Sequence, residues 1–326
     1  MRNNSNLHKA KKARADEFYT QYEDIEKEIQ NYNLEGKKIY CNCDYYRYSN
    51  FVKYFKDNFN KLKIAYLTAS NYDNGECAYQ YEYDGVEEKI TALKGNGDFR
   101  SDECVELLKE ADVVVTNPPF SLFREYVALL MKYDKKFIII GNQNAITYKD
   151  IFPLIKDNKL WLGCSLHGIK CSFIIPNEYD GKNVYIKNGI RYCKVNNAVW
   201  FTNIEHNKRN KPIDLYKKYS EEEYNKFDNY DAINCDKVAD IPIDYYGVIG
   251  VPITFFDKYC PEQFEIIGIG IANLGLSIGV RGYLPEHRYY RKNIEHKGTV
   301  DGDLYYLDEN GHPKVPYARI LIRAKQ

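Results

Sequence analysis

Apolar runs alternate with amphipathic segments from residue 18 to residue 204. Apolar runs bounded by turn-forming residues are typical of buried strands, whereas apolar positions spaced i,i+4 are typical of helices. Asp84-Gly85 between two such runs predicts an antiparallel hairpin over 79–93. The pattern further predicts strands at 38–43, 64–69, 111–116, 137–140, 159–163, 171–175 and 198–202, and helices at 18–31, 48–59, 102–109 and 121–132, the last two capped by Asp102 and Ser121.

Alternating strands and helices imply parallel βαβ units, and therefore an α/β fold with a doubly wound sheet. After Asn203 the sequence becomes polar and rich in tyrosine, and 266–282 brings glycines among short apolar pairs. Such segments predict a second domain made mostly of strands and loops. We therefore expect a basic arm at 1–15, a first domain at 16–204 and a smaller second domain at 205–326.

The tetrapeptide Asn117-Pro118-Pro119-Phe120 follows the predicted strand 111–116. Each proline lacks an N–H and has a fixed φ, so the pair stops both sheet and helix. This holds a carbonyl and an amide side chain at the carboxyl edge of the sheet, where open α/β folds bind ligands. Together with an exposed ring they suit a flat substrate carrying an amino group, such as a nucleobase. The alternative is a strand-to-helix turn that happens to contain two prolines.

This motif resembles the [ND]-P-P-[FYW] signature of the S-adenosylmethionine-dependent amino methyltransferases. The closer resemblance is to the EcoRI-type adenine-N6 DNA methyltransferases, and it covers most of the chain. It implies a Rossmann-like methyltransferase sheet followed by a smaller C-terminal target-recognition domain. The resemblance rests on five segments in similar order, at 16–22, 39–44, 117–120, 199–203 and 250–259.

The resemblance implies a site-specific methyltransferase that transfers a methyl group from S-adenosylmethionine to N6 of an adenine in duplex DNA. Asn117 and Pro118 would accept hydrogen bonds from the amino group, which aims a weakly nucleophilic nitrogen instead of deprotonating it. Because the target atom is buried in the duplex, the base must be flipped out, and Phe120 would stack on it. Phe173 or Phe201 is a candidate for the second stacking surface, and either also suits the core.

The loop after the first predicted strand departs from the usual methyltransferase pattern, because 41–45 contains no glycine. By the resemblance, Asp44 or Asn42 would hold the methionine ammonium of the cofactor, since a carboxylate there makes charge-assisted hydrogen bonds. The alternative is a polar loop that closes a strand. The second predicted strand is followed by Ser70 and Asp73, the candidates for the cofactor ribose.

Two further segments are assigned to the cofactor by the resemblance. Phe18, Tyr19 and Thr20 match the N-terminal motif that closes over the methionine part, and a helix-start contact is the alternative. Asp98 is expected on the adenine amino group of the cofactor, and Phe99 on its ring. The alternative for Asp98 is an Asp turn.

Charge is balanced, with 46 basic and 46 acidic residues, so any attraction to a polyanion must come from local patches. The arm at 1–15 is basic and contains no acid. A second basic patch, interleaved with tyrosines, lies at 281–292. The alternatives are a disordered tail and a solvated face. The predicted DNA-binding residues are Lys11, Lys12, Arg14, Arg281, Arg288 and Arg291.

No metal is expected, because the nine cysteines contain one close pair, Cys41-x-Cys43, and the histidines form no ligand pattern. Thiols in a reducing compartment are the favoured interpretation. The chain has neither a membrane-spanning apolar run nor a signal-peptide core. These patterns predict a cytoplasmic protein that uses neither membrane nor metal, and the resemblance implies a monomer that acts on double-stranded DNA.

The expected biological setting is the modification half of a restriction system, with GAATTC as the candidate site. A cognate restriction endonuclease would act on the same site without stable association. Three alternatives remain open at this point: an RNA adenine-N6 methyltransferase, a protein glutamine methyltransferase, and a non-catalytic DNA-binding relative with a degenerate cofactor loop.

Overall fold

The computed structural model describes residues 20–73, 78–165, 171–175, 183–195 and 197–325. Phe18, Tyr19 and the arm at 1–15, with Lys11, Lys12 and Arg14, lie outside these ranges. The described residues fall into two compact units. The first comprises those up to Asn144 together with Leu160–His206, and the second comprises Ala145–Lys159 and the residues from Asn207 onward. The sequence had assigned Ala145–Lys159 to the first domain.

The first unit alternates helices and strands. Its helices are α1 (Tyr22–Ile29), α2 (Asn50–Asp57), α3 (Phe59–Leu62), α4 (Asp102–Glu110) and α5 (Phe123–Lys132). Its strands are β1 (Lys38–Asn42), β2 (Tyr66–Ser70), β3 (Tyr79–Tyr83), β4 (Glu88–Ala92), β5 (Val113–Thr116), β6 (Lys136–Asn142), β7 (Trp161–Leu162), β8 (Cys171–Ile174), β9 (Val184–Lys187), β10 (Ile190–Val195) and β11 (Ala198–Thr202).

The main sheet has eight strands in the order β4-β3-β2-β1-β5-β6-β11-β7. The inner strands β2, β1, β5 and β6 are parallel to one another, as predicted. The sheet as a whole is mixed, because β3 pairs antiparallel with β2, and β11 lies antiparallel between β6 and β7. The strands β8, β10 and β9 form a separate sheet, so the expectation that 171–175 joins the main sheet was wrong.

The core of the first unit lies where α1 and α2 cover the parallel strands. Ile25 and Ile29, spaced i,i+4 on α1, are fully buried, and so is Trp200 on β11. All four residues of β5 are buried, as expected for a parallel strand covered on both faces. The four parallel strands end in the polar residues Asn42, Ser70, Thr116 and Asn142.

Two predicted helix caps were wrong. Helix α4 is capped by Ser101, whose hydroxyl accepts from the backbone N–H of Cys104 at 3.3 Å, and Asp102 is its first residue. Ser121 lies inside a short 3-10 helix, Phe120–Leu122, that precedes α5. Because Pro119 accepts the Leu122 N–H at 2.9 Å, the prolines themselves start the tight turn.

The second unit contains short elements around its own sheet. Its helices are α6 (Phe152–Lys156), α7 (Ala272–Ser277) and α8 (Pro285–Tyr289), and α8 continues as a π-helix at Tyr290–Ile294. Its strands are β12 (Ile233–Asn234), β13 (Ile249–Pro252), β14 (Phe264–Gly270), β15 (Tyr306–Leu307), β16 (Pro313–Lys314) and β17 (Arg319–Ala324), of which β12-β13-β17-β14 form one sheet and β15-β16 another. Further 3-10 helices lie at Gln143–Thr147, Val238–Asp240 and Ile253–Asp257.

Candidate functional site

The motif that begins at Asn117 lies where β5 ends, at the carboxyl edge of the main sheet. Asn117 is half-buried, and its side-chain Nδ2 lies 3.4 Å from the Thr20 hydroxyl oxygen. Thr20 is 3% exposed, and its carbonyl accepts a hydrogen bond from Asn50 Nδ2 at 2.7 Å. The structure thus brings together two residues that the sequence had assigned to different tasks. With Nδ2 directed to Thr20, Oδ1 is the acceptor end of the Asn117 amide.

Asp44 is fixed beside this motif by two hydroxyl groups. Ser49, the N-cap of α2, donates to Asp44 Oδ1 at 2.7 Å, and Thr116 Oγ1 lies 2.5 Å from Oδ2. The same Thr116 oxygen lies within hydrogen-bonding distance of the Asn42 carbonyl, and its single proton serves one acceptor at a time. Strand β5 and the loop after β1 are therefore tied together directly before Asn117.

The side chain of Asn42 lies in the interior. It is 1% exposed, and its Oδ1 accepts a hydrogen bond from the Tyr126 hydroxyl on α5. Tyr126 is itself fully buried, which raises its pKa well above the usual range and keeps the hydroxyl a donor. Of the two residues predicted to hold the ammonium, Asp44 is half-buried and Asn42 is buried.

The loop without glycine has a left-handed residue at its centre. Cys43 has φ of 64°, a conformation that glycine adopts at little cost and other residues adopt rarely. The turn lets the Asp44 N–H donate to the Ser70 carbonyl at 2.8 Å, which joins this loop to the end of β2. The loop therefore contains a left-handed conformation of the kind that glycine favours, although the residue is a cysteine.

Gly97 positions the predicted adenine-binding carboxylate. Its φ is +73°, and a Cβ there would lie 1.9 Å from the Asn71 carbonyl oxygen, so no other residue fits. Asp98 follows and binds the Arg100 guanidinium with both oxygens, at 2.9 Å and 2.6 Å. The hydrogen bond from Arg100 lowers the pKa of Asp98, so that it remains an ionised acceptor. Arg100 also binds Glu125 at 2.8 Å.

Two side chains that were predicted to contact the adenine ring or the ribose of the cofactor are buried in the structure. Phe99 is 4% exposed, its ring centroid lies 5.0 Å from that of Tyr126, and the Arg100 guanidinium lies 5.2 Å from the centre of the Phe99 ring. Ser70 is buried, and its hydroxyl is hydrogen-bonded to Tyr40 at 2.6 Å. Asp73, half-buried after β2, is the better placed of the two ribose candidates.

The aromatic candidates for the base differ in accessibility. Phe120 is half-buried at the start of its 3-10 helix. Phe173 and Phe201 are 1% and 0% exposed, and Phe201 packs against Phe123 with ring centroids 5.0 Å apart. Both belong to the core, which leaves Phe120 as the accessible ring among the three.

The arginines predicted to bind DNA differ in their surroundings within the second unit. Arg281 is exposed and donates to the Asp228 carbonyl, whereas Arg288 is half-buried and forms an ion pair with Asp301 at 2.6 Å. Arg291 is 8% exposed and binds Glu295 at 3.2 Å, so its guanidinium is part of the interior.

The sequence interpretation missed a group of tyrosines after the cofactor loop. Tyr45, Tyr46 and Tyr79 have ring centroids 5.1 to 6.5 Å apart, and Tyr46 stacks on Tyr81 at 5.4 Å. The run Tyr45-Tyr46-Arg47-Tyr48 was the available signal. Within the described ranges, no cluster of three acidic, histidine or cysteine side chains suited to a metal is found, and no helix has the length and apolar character needed to cross a membrane.

Comparison with known proteins assigns the chain to a family. Residues 6–325 match the family described as adenine-specific methyltransferase EcoRI. The chain is 46% identical to the type II methyltransferase M.EcoRI of Escherichia coli, over 99% of this chain and 97% of that protein. It is 40% identical to the type II methyltransferase M.MgeORF184P of Mycoplasma genitalium and 37% identical to M.MpnI of Mycoplasma pneumoniae, over at least 98% of every chain compared. No solved structure gives a significant match.

The chain therefore belongs to the EcoRI family of adenine-specific methyltransferases. It is an adenine-specific DNA methyltransferase, as the resemblance had predicted.

Proposed function

We propose that this enzyme transfers the methyl group of S-adenosylmethionine to N6 of an adenine that is flipped out of duplex DNA. The observation that supports this proposal best is the contact between Asn117 and Thr20, beside an anchored Asp44. The Asn117 amide and the Asp44 carboxylate both lie at the carboxyl edge of the main sheet. We propose that this sheet is doubly wound and Rossmann-like.

The carboxyl edge fits the cofactor implied by the family. Asp44 would hold the methionine ammonium, because an ionised carboxylate makes charge-assisted hydrogen bonds to a cation and the Ser49 and Thr116 hydroxyls fix this one at the end of β1. Asp98, kept ionised by Arg100, would accept from the adenine amino group. Thr20, with Phe18 and Tyr19 before it, would close over the methionine part. When bound, S-adenosylmethionine supplies an electrophilic methyl group on a sulfonium.

Asn117 and Pro118 would orient the nucleophile. The amino nitrogen of adenine is a weak nucleophile, since its lone pair is delocalised into the ring. Two acceptors, Asn117 Oδ1 and the Pro118 carbonyl, would draw that nitrogen toward tetrahedral geometry and direct its lone pair. Orientation of this kind contributes up to ~7–11 kcal/mol to lowering a barrier. The chain needs no general base for this step.

Phe120 would stabilise the extrahelical base. Flipping costs a few kcal/mol, and stacking on an aromatic ring returns about 1–3 kcal/mol per base. Phe120, the last residue of the motif, packs against the main core and is only half-buried.

We assign target recognition to the second unit and phosphate contact to the arm at 1–15. Arg281, and Arg288 with a side chain that is 33% exposed, would contribute to the DNA surface, whereas Arg291 is buried. GAATTC is the candidate site, since M.EcoRI is 46% identical, although a recognition unit can diverge while the catalytic residues stay constant. A restriction endonuclease of the same specificity would act separately from a monomeric methyltransferase.

Transfer of labelled methyl groups to duplex DNA, RNA or protein, followed by nucleoside analysis, tests the proposal. We expect N6-methyladenine in duplex DNA. Label at cytosine, in RNA or on a glutamine amide would contradict it.

A further inference from the structure

The small sheet of β8, β10 and β9 emerges at the same edge as Asn117. Strand β11 runs antiparallel to β6, with Ala198 opposite Asn142, so it begins at the carboxyl edge of the main sheet. Asn197 is held there, because its carbonyl accepts the Gln143 N–H at 2.7 Å. Since β10 ends at Val195, the small sheet leads directly into this edge.

One face of the small sheet is buried against the hydrophobic core of the first unit. Phe173 on β8 lies opposite Cys193 on β10, and these residues are 1% and 3% exposed. Phe173 belongs to the main hydrophobic core, and half-buried Val195 packs against it. Because alternate residues of a strand point to opposite faces, the neighbours of Cys193 lie on the outer face.

The outer face is aromatic and basic. Tyr192 lies directly opposite Tyr185, and their rings stack with centroids 5.3 Å apart and an interplanar angle of 18°. Lys194 shares this face, and its Nζ lies 5.1 Å from the centre of the Tyr185 ring. Lys187 and Ile190, opposite each other, continue the same face toward the tip.

The β9–β10 ribbon ends in an exposed apolar tip. Asn188 and Gly189 join the strands with φ of 51° and 77°, as in the two-residue turns that match strand twist. Ile186 is 70% exposed and Ile190 is 44% exposed. Ile190 lies opposite Lys187 on the outer face, whereas Ile186 lies opposite Arg191 on the other face, so the tip presents an exposed apolar side chain on each face.

The charge of the ribbon identifies the partner. The segment 183–195 contains Lys187, Arg191 and Lys194 and no acidic residue, in a chain whose net charge is zero. A two-stranded ribbon fits the major groove of B-DNA, where apolar side chains contact thymine methyl groups. The outer face of the ribbon thus combines Lys187 and Lys194, as cations for phosphates, with Ile190 as an apolar group for base edges.

We propose that the β9–β10 ribbon docks on duplex DNA beside the flipped adenine, with Lys187 and Lys194 on phosphates and the tip in a groove. This inference rests on the proposed function, and it adds a DNA-binding element within the first unit. Lysines that neutralise phosphates steepen the salt dependence of binding, by about 0.9 units of log K against log[salt] per contact.

The test compares two double variants of the full-length enzyme on a duplex containing GAATTC. Lys187→Gln/Lys194→Gln removes two charges from the ribbon. Lys37→Gln/Lys61→Gln removes two exposed charges, one directly before β1 and the other on α3. We expect the ribbon variant to lower the salt slope by about one to two units and the control to leave it unchanged.

Lys187→Arg/Lys194→Arg separates charge from side-chain identity, and it should restore the slope. Equal slopes in the parent and the ribbon variant, or an equal decrease in both double variants, would overturn the inference while leaving the proposed function intact. If the parent methylates RNA or protein and binds no duplex DNA, both the proposed function and this inference fail together.

Discussion

Asn117 Nδ2 lies 3.4 Å from Thr20 Oγ1, although the two residues are 97 positions apart in the chain. The contact orients the Asn117 amide, because Nδ2 donates to the Thr20 hydroxyl oxygen. It also joins the segment proposed to close over the cofactor to the motif proposed to hold the adenine. Cofactor and base would therefore be positioned by one hydrogen-bonded pair.

Thr20→Val should lower kcat by a few-fold to about tenfold, since the hydrogen bond that orients the amide is worth about 0.5–1.5 kcal/mol. Thr20→Ser keeps the hydroxyl and should retain most of the activity. Single-turnover kinetics on duplex DNA measure both variants. Equal rates for the valine and serine variants would show that the contact with Thr20 does not orient Asn117.

Cys43 offers a test of the loop conformation. Cys43→Gly suits the positive φ and should keep S-adenosylmethionine binding and the melting temperature at or above those of the parent. Cys43→Val places a β-branched residue in the left-handed region and should lower both. Calorimetric binding and thermal melting give the comparison. Better binding by the valine variant would refute a structural role for this turn.

Asp98→Ala should weaken S-adenosylmethionine binding by about 1–3 kcal/mol, because the adenine amino group of the cofactor would lose its hydrogen-bond acceptor in a closed site. Glu125→Gln is the matched control, since it removes the other carboxylate bound to Arg100 at the exposed end. Its Kd should stay within twofold of the parent. A similar loss in both variants would mean that Arg100, and not Asp98, carries the effect.

Phe120→Ala should reduce stabilisation of the extrahelical base, whereas Phe120→Tyr and Phe120→Trp should keep part of it through stacking. With 2-aminopurine at the target position, the alanine variant should give the brighter complex if flipping persists, because an aromatic neighbour quenches the probe. Identical fluorescence and kcat in the alanine and tryptophan variants would argue against stacking at this position.

The parallel strands and their shared edge could be predicted from the sequence. The apolar runs of β1, β2, β5 and β6 are each followed by polar residues, and the carboxyl ends of parallel strands meet at one edge. Thr20 and Asn117 could be assigned through motifs, although their contact could not. The Asn188-Gly189 turn was a hairpin signal that the interpretation overlooked.

Other features depended on contacts that no local pattern specifies. The antiparallel insertion of β11 follows from the packing of the whole sheet. The buried hydrogen bond from Tyr126 to Asn42 joins residues on separate elements, and the left-handed Cys43 replaces the glycine that a motif search requires. The burial of Arg291 likewise could not be predicted from the sequence, because an arginine in a basic run is normally solvated.

Methyl transfer by Asn117→Ala tests the central claim most directly. With the amide acceptor removed, kcat/KM on duplex DNA should fall far below a tenth of the parent value, while the Kd for S-adenosylmethionine stays within a few-fold. Asn117→Asp keeps an acceptor oxygen and should lie between the two. Retention of more than about a tenth of kcat/KM by the alanine variant, a loss under roughly 1.4 kcal/mol, would contradict the proposed role of Asn117.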